Sequence, residues 1–134
     1  MAVRGLVLDF GGVLTDYGDD HGADEPPLVG VVRRVRGSGV RTAVLSNADG
    51  LWAPPRAWAP LFDVVVTSGE VGMAKPDRRI YLLTADRLGL DPADCVFVDD
   101  LAVNVRGAAA AGMVGVHHHS VRATTEEIEV LLGT

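Results

Sequence analysis

Short apolar runs alternate with stretches of helical spacing along most of this chain, and this alternation limits the folds open to it. The apolar runs predict strands at residues 6–8, 40–45, 62–67, 95–98 and 113–116. Apolar residues that recur at intervals of three and four predict helices at 27–36, 78–90, 104–111 and 124–132. Strands that alternate with helices indicate an α/β fold, with a mainly parallel sheet of about five strands and helices on both faces.

The segments between these elements are predicted to be loops or short turns. Residues 16–27 are acidic, aperiodic and rich in Gly and Pro, which is typical of a surface loop. Three prolines restrict residues 48–60 to a short helix at most, and residues 68–76 are predicted to form a loop that carries Lys75. The three histidines at 117–119 are predicted to lie in a solvated loop, because adjacent side chains on an extended chain rarely share one metal ion.

The charge and composition of the chain argue against several classes of partner. The 134 residues are long enough for one domain, which we expect to cover residues 1–134. The formal net charge of −6 argues against binding to nucleic acid or to an anionic membrane. The longest uncharged run, residues 107–120, is too short to span a bilayer. Asp9 interrupts the region where a signal peptide has its apolar core, so we expect a cytoplasmic protein. Cys95 is the single cysteine and begins an apolar run, so we expect it to be a buried thiol.

Polar side chains follow four of the five predicted strands. They are Asp9, Ser46, Asn47, Lys75, Asp99 and Asp100. Because the carboxyl ends of parallel strands lie along one edge of a sheet, we expect these side chains to meet in one crevice. Carboxylates from two strands suit Mg²⁺, whereas a hydroxyl, backbone N–H groups and a lysine suit a phosphate. Together these groups indicate phosphoryl transfer through an aspartyl-phosphate.

The stretches around Asp9 and around Ser46 resemble motifs of a known enzyme family. Residues 9–14, DFGGVL, resemble the first motif of the haloacid dehalogenase superfamily of hydrolases, with Asp9 at the position of the nucleophile. Ser46 and Asn47 resemble the second motif, in which the hydroxyl and a backbone N–H bind the transferring group. The resemblance implies a three-layer, Rossmann-like fold of the subfamily I type. The phosphate-binding residues that it implies are Gly11, Gly12, Ser46, Asn47 and Lys75.

Lys75 and residues 99–104 resemble the third and fourth motifs of the same family. Lys75 matches the lysine that neutralises the nucleophile and the phosphoryl oxygens, which implies a catalytic set of Asp9, Ser46 and Lys75. Residues 99–104, DDLAVN, resemble the acidic fourth motif, with Asp100 at the metal-ligand position. Asp99 and Asn104 match supporting positions. The resemblance implies Mg²⁺ as the cofactor, and the ligands that it implies are Asp9, the main-chain carbonyl of Gly11, and Asp100.

One residue of the first motif departs from the pattern of the family's phosphatases. Two residues after the nucleophile they usually carry a second Asp, which protonates the leaving group and then activates water, but this chain has Gly11. Such a general acid and base contributes about 10²- to 10⁴-fold in rate. A proton could instead come from the loop that follows, where the candidates are Asp16, Asp19 and His21.

The second departure is the cap. Relatives of this subfamily usually insert a helical cap of roughly 60–100 residues after the first motif, a length within the usual range for a domain. Here only the short flap at 17–27 occupies that place, so the resemblance implies a fold without a cap domain and an open site. An open site favours a phosphorylated small molecule or an exposed phosphate on a larger substrate. It also favours a second copy of the chain as a cover.

These observations favour one function over three alternatives. We predict a Mg²⁺-dependent hydrolase, a phosphatase that works through an aspartyl-phosphate on Asp9. A receiver domain has similar parts, but its acid pair lies at the first strand and its lysine comes last, which is the reverse of the order here. A dehalogenase would use the same Asp9 without a second Asp, yet it needs an enclosed apolar pocket. The absence of an acid at Gly11 keeps open a catalytically weak binding or regulatory module.

Overall fold

The five predicted strands form one parallel sheet in the computed structural model, which describes residues 3–133. The strands are β1 (Gly5–Leu8), β2 (Arg41–Ser46), β3 (Val64–Thr67), β4 (Cys95–Asp99) and β5 (Val114–His117). Their order across the sheet is β3-β2-β1-β4-β5, and every neighbouring pair is parallel. The predicted α/β, Rossmann-like fold is confirmed.

Helices cover both faces of the sheet, which makes three layers. They are α1 (Pro27–Gly37), α2 (Ser68–Val71), α3 (Arg78–Leu88), α4 (Ala102–Ala110) and α5 (Val121–Leu132). Leu6 and Leu8 point into a core shared with α1 and α5, whereas Val7 points into a second core shared with α3 and α4. This alternation follows from the two-residue period of a strand, and it explains why β1 is buried along its whole length.

No helix or strand interrupts the chain from residue 15 to residue 26, so the described part of the protein carries no cap domain. This segment is a series of turns, as its composition predicted. Among the helices of residues 3–133, none combines the length and the apolar character that crossing a bilayer requires.

Several helix boundaries differ from the sequence predictions because side chains cap the helices earlier than expected. The last helix begins at Val121, three residues before the predicted start, since the Ser120 hydroxyl accepts a hydrogen bond from the Ala123 N–H. Residues predicted as loop after β3 form the single turn of α2, because the Thr67 hydroxyl accepts from the Glu70 N–H. α4 also begins two residues before its predicted start, although no side chain caps it.

The strand order creates a crevice beside the central strand. The chain runs from β1 outward through β2 and β3, and then returns to the other side of β1 to form β4. The loops that follow β1 and β4 therefore leave the sheet from adjacent positions and separate, which is where α/β sheets bind ligands. The Asp9 N–H continues this pairing past the end of β1, since it donates to the Val98 carbonyl oxygen at 3.0 Å.

Candidate active site

Asp9 stands at the carboxyl end of β1, immediately before a tight turn. In the turn, Gly11 has φ −65° and ψ 129°, and Gly12 has φ 79° and ψ −7°. The positive φ of Gly12 disfavours any side chain, and a Cβ there would also collide with the carboxylate of Asp100. The glycine at position 12 therefore lets the turn pass close to the fourth motif, which brings Asp9 and Asp100 to one side of the crevice.

Lys75 supplies the positive charge of the site from a buried position. Its side chain is 2% exposed. Nζ donates to Asp9 Oδ1 at 3.0 Å and to Asp99 Oδ2 at 2.9 Å. The carbonyl oxygen of Leu45 accepts the third hydrogen bond at 2.9 Å. Because an ammonium group has three N–H donors, the whole capacity of Lys75 is engaged by Asp9, Asp99 and the end of β2.

Asp99 holds the loop between β4 and α4 together. Its side chain is fully buried. Oδ2 accepts hydrogen bonds from Lys75 and from Asn104 Nδ2, the latter at 3.1 Å. Oδ1 accepts from the Leu101 N–H at 2.9 Å. Since both oxygens are already engaged, the carboxylate of Asp99 positions Lys75 and the start of α4.

Carboxylates outnumber the cation at this point of the site. Oxygen atoms from Asp9, Asp99 and Asp100 all lie within 4.8 Å of one another. Lys75 neutralises one of these three charges, so the cluster keeps an excess of about two negative charges when all three acids are ionised. Oxygen ligands and this charge fit a hard divalent cation such as Mg²⁺. With both oxygens of Asp99 engaged elsewhere, Asp9 and Asp100 are the carboxylates that could hold it.

The pKa values of the two candidate ligands reflect the same crowding. Burial raises the pKa of Asp9 above its usual range, although the neighbouring Lys75 ammonium opposes that rise. Burial and the adjacent Asp99 raise the pKa of Asp100. His117 fixes the backbone here, because its Nε2 lies 2.9 Å from the carbonyl oxygen of Asp100. A bound divalent cation would favour the ionised form of both acids.

The second motif contributes a hydroxyl and an amide, which point to different tasks. Ser46 is the last residue of β2 and faces the crevice. The Asn47 side chain is bound to the backbone of Lys75: its Oδ1 accepts from the Lys75 N–H at 3.0 Å, and its Nδ2 donates to the Lys75 carbonyl oxygen at 3.2 Å. The amide therefore positions the loop that carries Lys75, and only the backbone of Asn47 is left to contact a phosphate.

The predicted residues converge on one small cleft of about 220 Å³. Its lining residues are Asp9, Gly11, Ser46, Asn47, Lys75, Leu101 and Asn104. Six of these seven were predicted as site residues, and the sequence reasoning missed Leu101. Position 101 directly follows the acidic pair, and that adjacency was the signal that could have identified it. Gly12 and Asp100 lie beside the cleft, in contact with each other.

The flap does not bring an acid to this cleft. Asp16 and Asp19 line a different cavity of about 500 Å³, and His21 lines neither. Asp16 Oδ1 accepts from the Gly18 N–H at 2.8 Å, and Oδ2 lies 2.8 Å from His118 Nε2. The hydrogen bond from the Gly18 N–H lowers the pKa of Asp16 most, and the contact with His118 lowers it further. Asp16 thus ties the flap to the end of the sheet, which speaks against its predicted role as a proton donor.

The prediction of a solvated histidine loop is wrong for His118. This residue is 5% exposed, and its Nδ1 lies 2.7 Å from the hydroxyl of Thr124, in α5. His117 ends β5, and His119 is exposed. The rings of His117 and His119 lie on the same side of the extended backbone, with their centroids 4.0 Å apart, whereas the ring of His118 points to the other side. The partners of the His118 ring are Asp16, which lies 102 residues earlier in the chain, and Thr124, which lies six residues later. These contacts bury the ring.

A family model for haloacid dehalogenase-like hydrolases matches residues 4–112, which include β1 to β4 and every predicted site residue. The chain belongs to this family. The predicted resemblance is therefore confirmed, and residues 3–133 hold no cap domain.

Similar proteins cover different shares of the chain. "Acyl-CoA dehydrogenase family member 10" of Mus musculus is 37% identical over 81% of this chain, which spans 10% of that protein. A sesquiterpene phosphatase of Aspergillus oryzae is 32% identical over 79% of this chain, which spans 56% of that enzyme. The crystal structure of an uncharacterised protein from Corynebacterium glutamicum superposes with a TM-score of 0.81 at 35% identity, covering 98% of this chain and 96% of that one.

Proposed function

We propose that this hydrolase is a Mg²⁺-dependent phosphatase that forms an aspartyl-phosphate on Asp9. The observation that carries the proposal is the contact of Lys75 Nζ with Asp9 Oδ1 at 3.0 Å, inside a cleft that Ser46 also lines. A carboxylate held by a buried ammonium beside a hydroxyl suits nucleophilic attack on a phosphate ester. The similarity to a sesquiterpene phosphatase supports the same reaction class.

In the first step, the Asp9 carboxylate attacks phosphorus, and the bond between phosphorus and the leaving oxygen breaks. The leaving oxygen keeps the electron pair of that bond and takes a proton from solvent water, because Gly11 supplies no acid. Lys75 orients the carboxylate through Oδ1 and offsets negative charge that develops in the transition state. The Ser46 hydroxyl and the backbone N–H of Asn47 are available to the phosphoryl oxygens. In the second step, water attacks the phosphorus of the acyl phosphate, which releases inorganic phosphate and regenerates the Asp9 carboxylate.

The metal would be held by Asp9, Asp100 and the carbonyl of Gly11, where it would neutralise charge on the phosphoryl group. The donor set fits this group, because carboxylate oxygens of Asp9 and Asp100 lie within 4.8 Å of each other and Asp99 is engaged elsewhere. Within residues 3–133, Lys75 is the one cation among the residues that line the cleft. A phosphate dianion would therefore meet an excess of negative charge unless a divalent cation were bound.

Hydrolysis of phenyl phosphate with and without Mg²⁺ tests the proposal, with Asp9→Asn as the nucleophile variant. The matched control is Asp19→Asn, an Asp-to-Asn change in a residue that lines the other cavity. We expect Mg²⁺-dependent release of phosphate from the wild type and from Asp19→Asn, and a loss of at least about 10³-fold in Asp9→Asn. Hydrolysis that persists in Asp9→Asn, or that needs no metal, would contradict the assignment.

A second candidate function is a catalytically weak binding or regulatory module. It is favoured by Gly11, which supplies no acid, and by the position of the flap acids outside the cleft. The same assay separates the two functions: a wild type that binds Mg²⁺ and phosphate but releases no product at any pH supports the binding module.

A further inference from the structure

We propose that Leu101 forms an apolar shelf for the leaving group, so that the cleft takes phosphate monoesters whose organic part is neutral and apolar. The inference rests on the proposed phosphatase function and specifies its substrate class. Leu101 lines the cleft together with Asp9, Ser46 and Lys75, yet the residue is 54% exposed. Because this leucine lines the same cleft as the nucleophile, it offers an apolar surface that a substrate can cover.

The position of Leu101 is set by polar contacts that do not involve its side chain. Its N–H donates to Asp99 Oδ1, and its carbonyl oxygen accepts from the N–H groups of Asn104 and Val105. The backbone at this position is therefore held by the start of α4 and by the buried acid. The side chain needs no partner for the fold, so its apolar character is available to a ligand.

Other exposed apolar side chains lie at the same edge of the sheet. Within residues 3–133, five large apolar residues are exposed, and four of them follow the carboxyl end of a strand. These four are Tyr17, Leu51, Leu101 and Val103. Of these four, Leu101 is the one that lines the cleft, whereas Tyr17 lines the larger cavity beside the flap. The fifth exposed residue, Val130, lies in α5.

The charges of the cleft argue against an anionic leaving group. Lys75 is the one cation among the described lining residues, and its three donors are engaged by Asp9, Asp99 and Leu45. A second phosphate or a carboxylate on the substrate would find no partner there, and it would lie near the acidic cluster. A neutral apolar leaving group is not repelled by the acidic cluster, and its contact with Leu101 removes apolar surface from water.

Binding of n-alkyl phosphonates in the presence of Mg²⁺, measured by calorimetry, tests the shelf without requiring turnover. We expect the Kd to fall by about two-fold per methylene from ethyl to butyl to hexyl, or roughly fifteen-fold overall. This is about half the effect of burying a methylene completely, because the shelf contacts the chain on one side. A hexyl chain that ends in a carboxylate should lose this gain.

The variant Leu101→Ala should reduce the ratio of Kd values between ethyl- and hexylphosphonate to about two-fold. Val130→Ala is the control, since it also removes exposed apolar surface but lines a groove along β5. It should keep the wild-type ratio. A ratio that Leu101→Ala leaves intact overturns the inference, as does equal binding of the three chain lengths by the wild type.

Two further outcomes separate this inference from the proposed function. If the protein hydrolyses phenyl phosphate but shows no dependence on chain length, the shelf is refuted and the phosphatase assignment stands. If no phosphonate binds and no ester is hydrolysed, both are refuted. Light scattering tests whether a second copy of the chain covers Leu101 instead of a substrate. If Leu101→Ala dissociates a dimer and the ratio of Kd values between ethyl- and hexylphosphonate stays at its wild-type value, this face is an interface between copies of the chain. The shelf is then refuted.

Discussion

Replacing Gly11 by Asp should increase the phosphatase rate, because it would restore an acid where the family's phosphatases usually carry one. The backbone accepts the change. Gly11 has φ −65° and ψ 129°, which any residue can adopt, and no heavy atom lies within 4 Å of an added Cβ. Gly12 is the contrasting position, since its φ of 79° and the adjacent Asp100 exclude a side chain.

Two small terms determine the effect of Gly11→Asp on stability. Removing a glycine from a compatible conformation stabilises the fold by about 0.4–1 kcal/mol through the unfolded state. A further carboxylate near Asp9 and Asp100 costs about 1 kcal/mol per close pair in a solvent-exposed position. The two pairs together would cost about 2 kcal/mol, of which a bound Mg²⁺ would offset a part. In the presence of Mg²⁺ the net effect is then within about 1 kcal/mol, so we expect the melting temperature to change by less than about 4 °C.

The effect on turnover should be much larger. A positioned general acid contributes about 10²- to 10⁴-fold, and the gain is greatest when the leaving group is a poor one. Hydrolysis of an alkyl phosphate should therefore accelerate by about 10²-fold or more in Gly11→Asp. The gain for p-nitrophenyl phosphate should be smaller, since its leaving group departs without a proton. Gly11→Asn has a similar shape but no acidic proton, so it should give no comparable gain.

The assay is kcat for both esters at saturating Mg²⁺, with thermal unfolding recorded for each variant. The reasoning would be refuted by a Gly11→Asp protein that folds and binds Mg²⁺ but hydrolyses the alkyl phosphate no faster than the wild type does. It would also be refuted if Gly11→Asn gave the same gain, because the effect would then come from the backbone and not from a proton.

Two other changes test the contacts that hold the site. Asn47→Ala removes both hydrogen bonds to the Lys75 backbone and should lower the free energy of unfolding by about 1–3 kcal/mol, measured in urea, together with kcat; Asn47→Asp, which keeps the acceptor, should lose less. Asp16 has a lowered pKa because of the Gly18 N–H and His118, so its ionised form stabilises the fold at neutral pH. Asp16→Asn should therefore be less stable than the wild type at pH 7. The difference should shrink as the pH falls below about 4, and a difference independent of pH would contradict this.

The sequence predicted the strands and most helices because their signals are local. The apolar run that ends at Asp9 and the cap at Asp77 depend on neighbours within a few positions, and the structure has β1 and α3 at those places. The errors are small shifts at the ends of elements: β3 begins two residues after its predicted start, and α3 ends two residues before its predicted end. The hydroxyls of Thr67 and Ser120 begin α2 and α5 before the apolar pattern becomes visible.

The site was predictable as a set of residues, because parallel strands bring their carboxyl ends to one edge wherever they lie in the sequence. The task of each side chain was less predictable. Asn47 matched a phosphate-binding motif, yet its amide is used by the Lys75 backbone. His118 sat in a polar run, yet it is buried against Asp16 and Thr124.

The order of motifs by itself determined the family, the parallel sheet and the edge on which the acids and Lys75 meet. Only the tertiary structure decided how the charges are distributed there. Asp9 and Lys75 are 66 positions apart, and Lys75 and Asp99 are 24 apart, so no local pattern records that one ammonium serves both acids. The same packing leaves Leu101 exposed beside the nucleophile. The order of the strands in the sheet brings together side chains that are distant in sequence, and this order exists only in the folded chain.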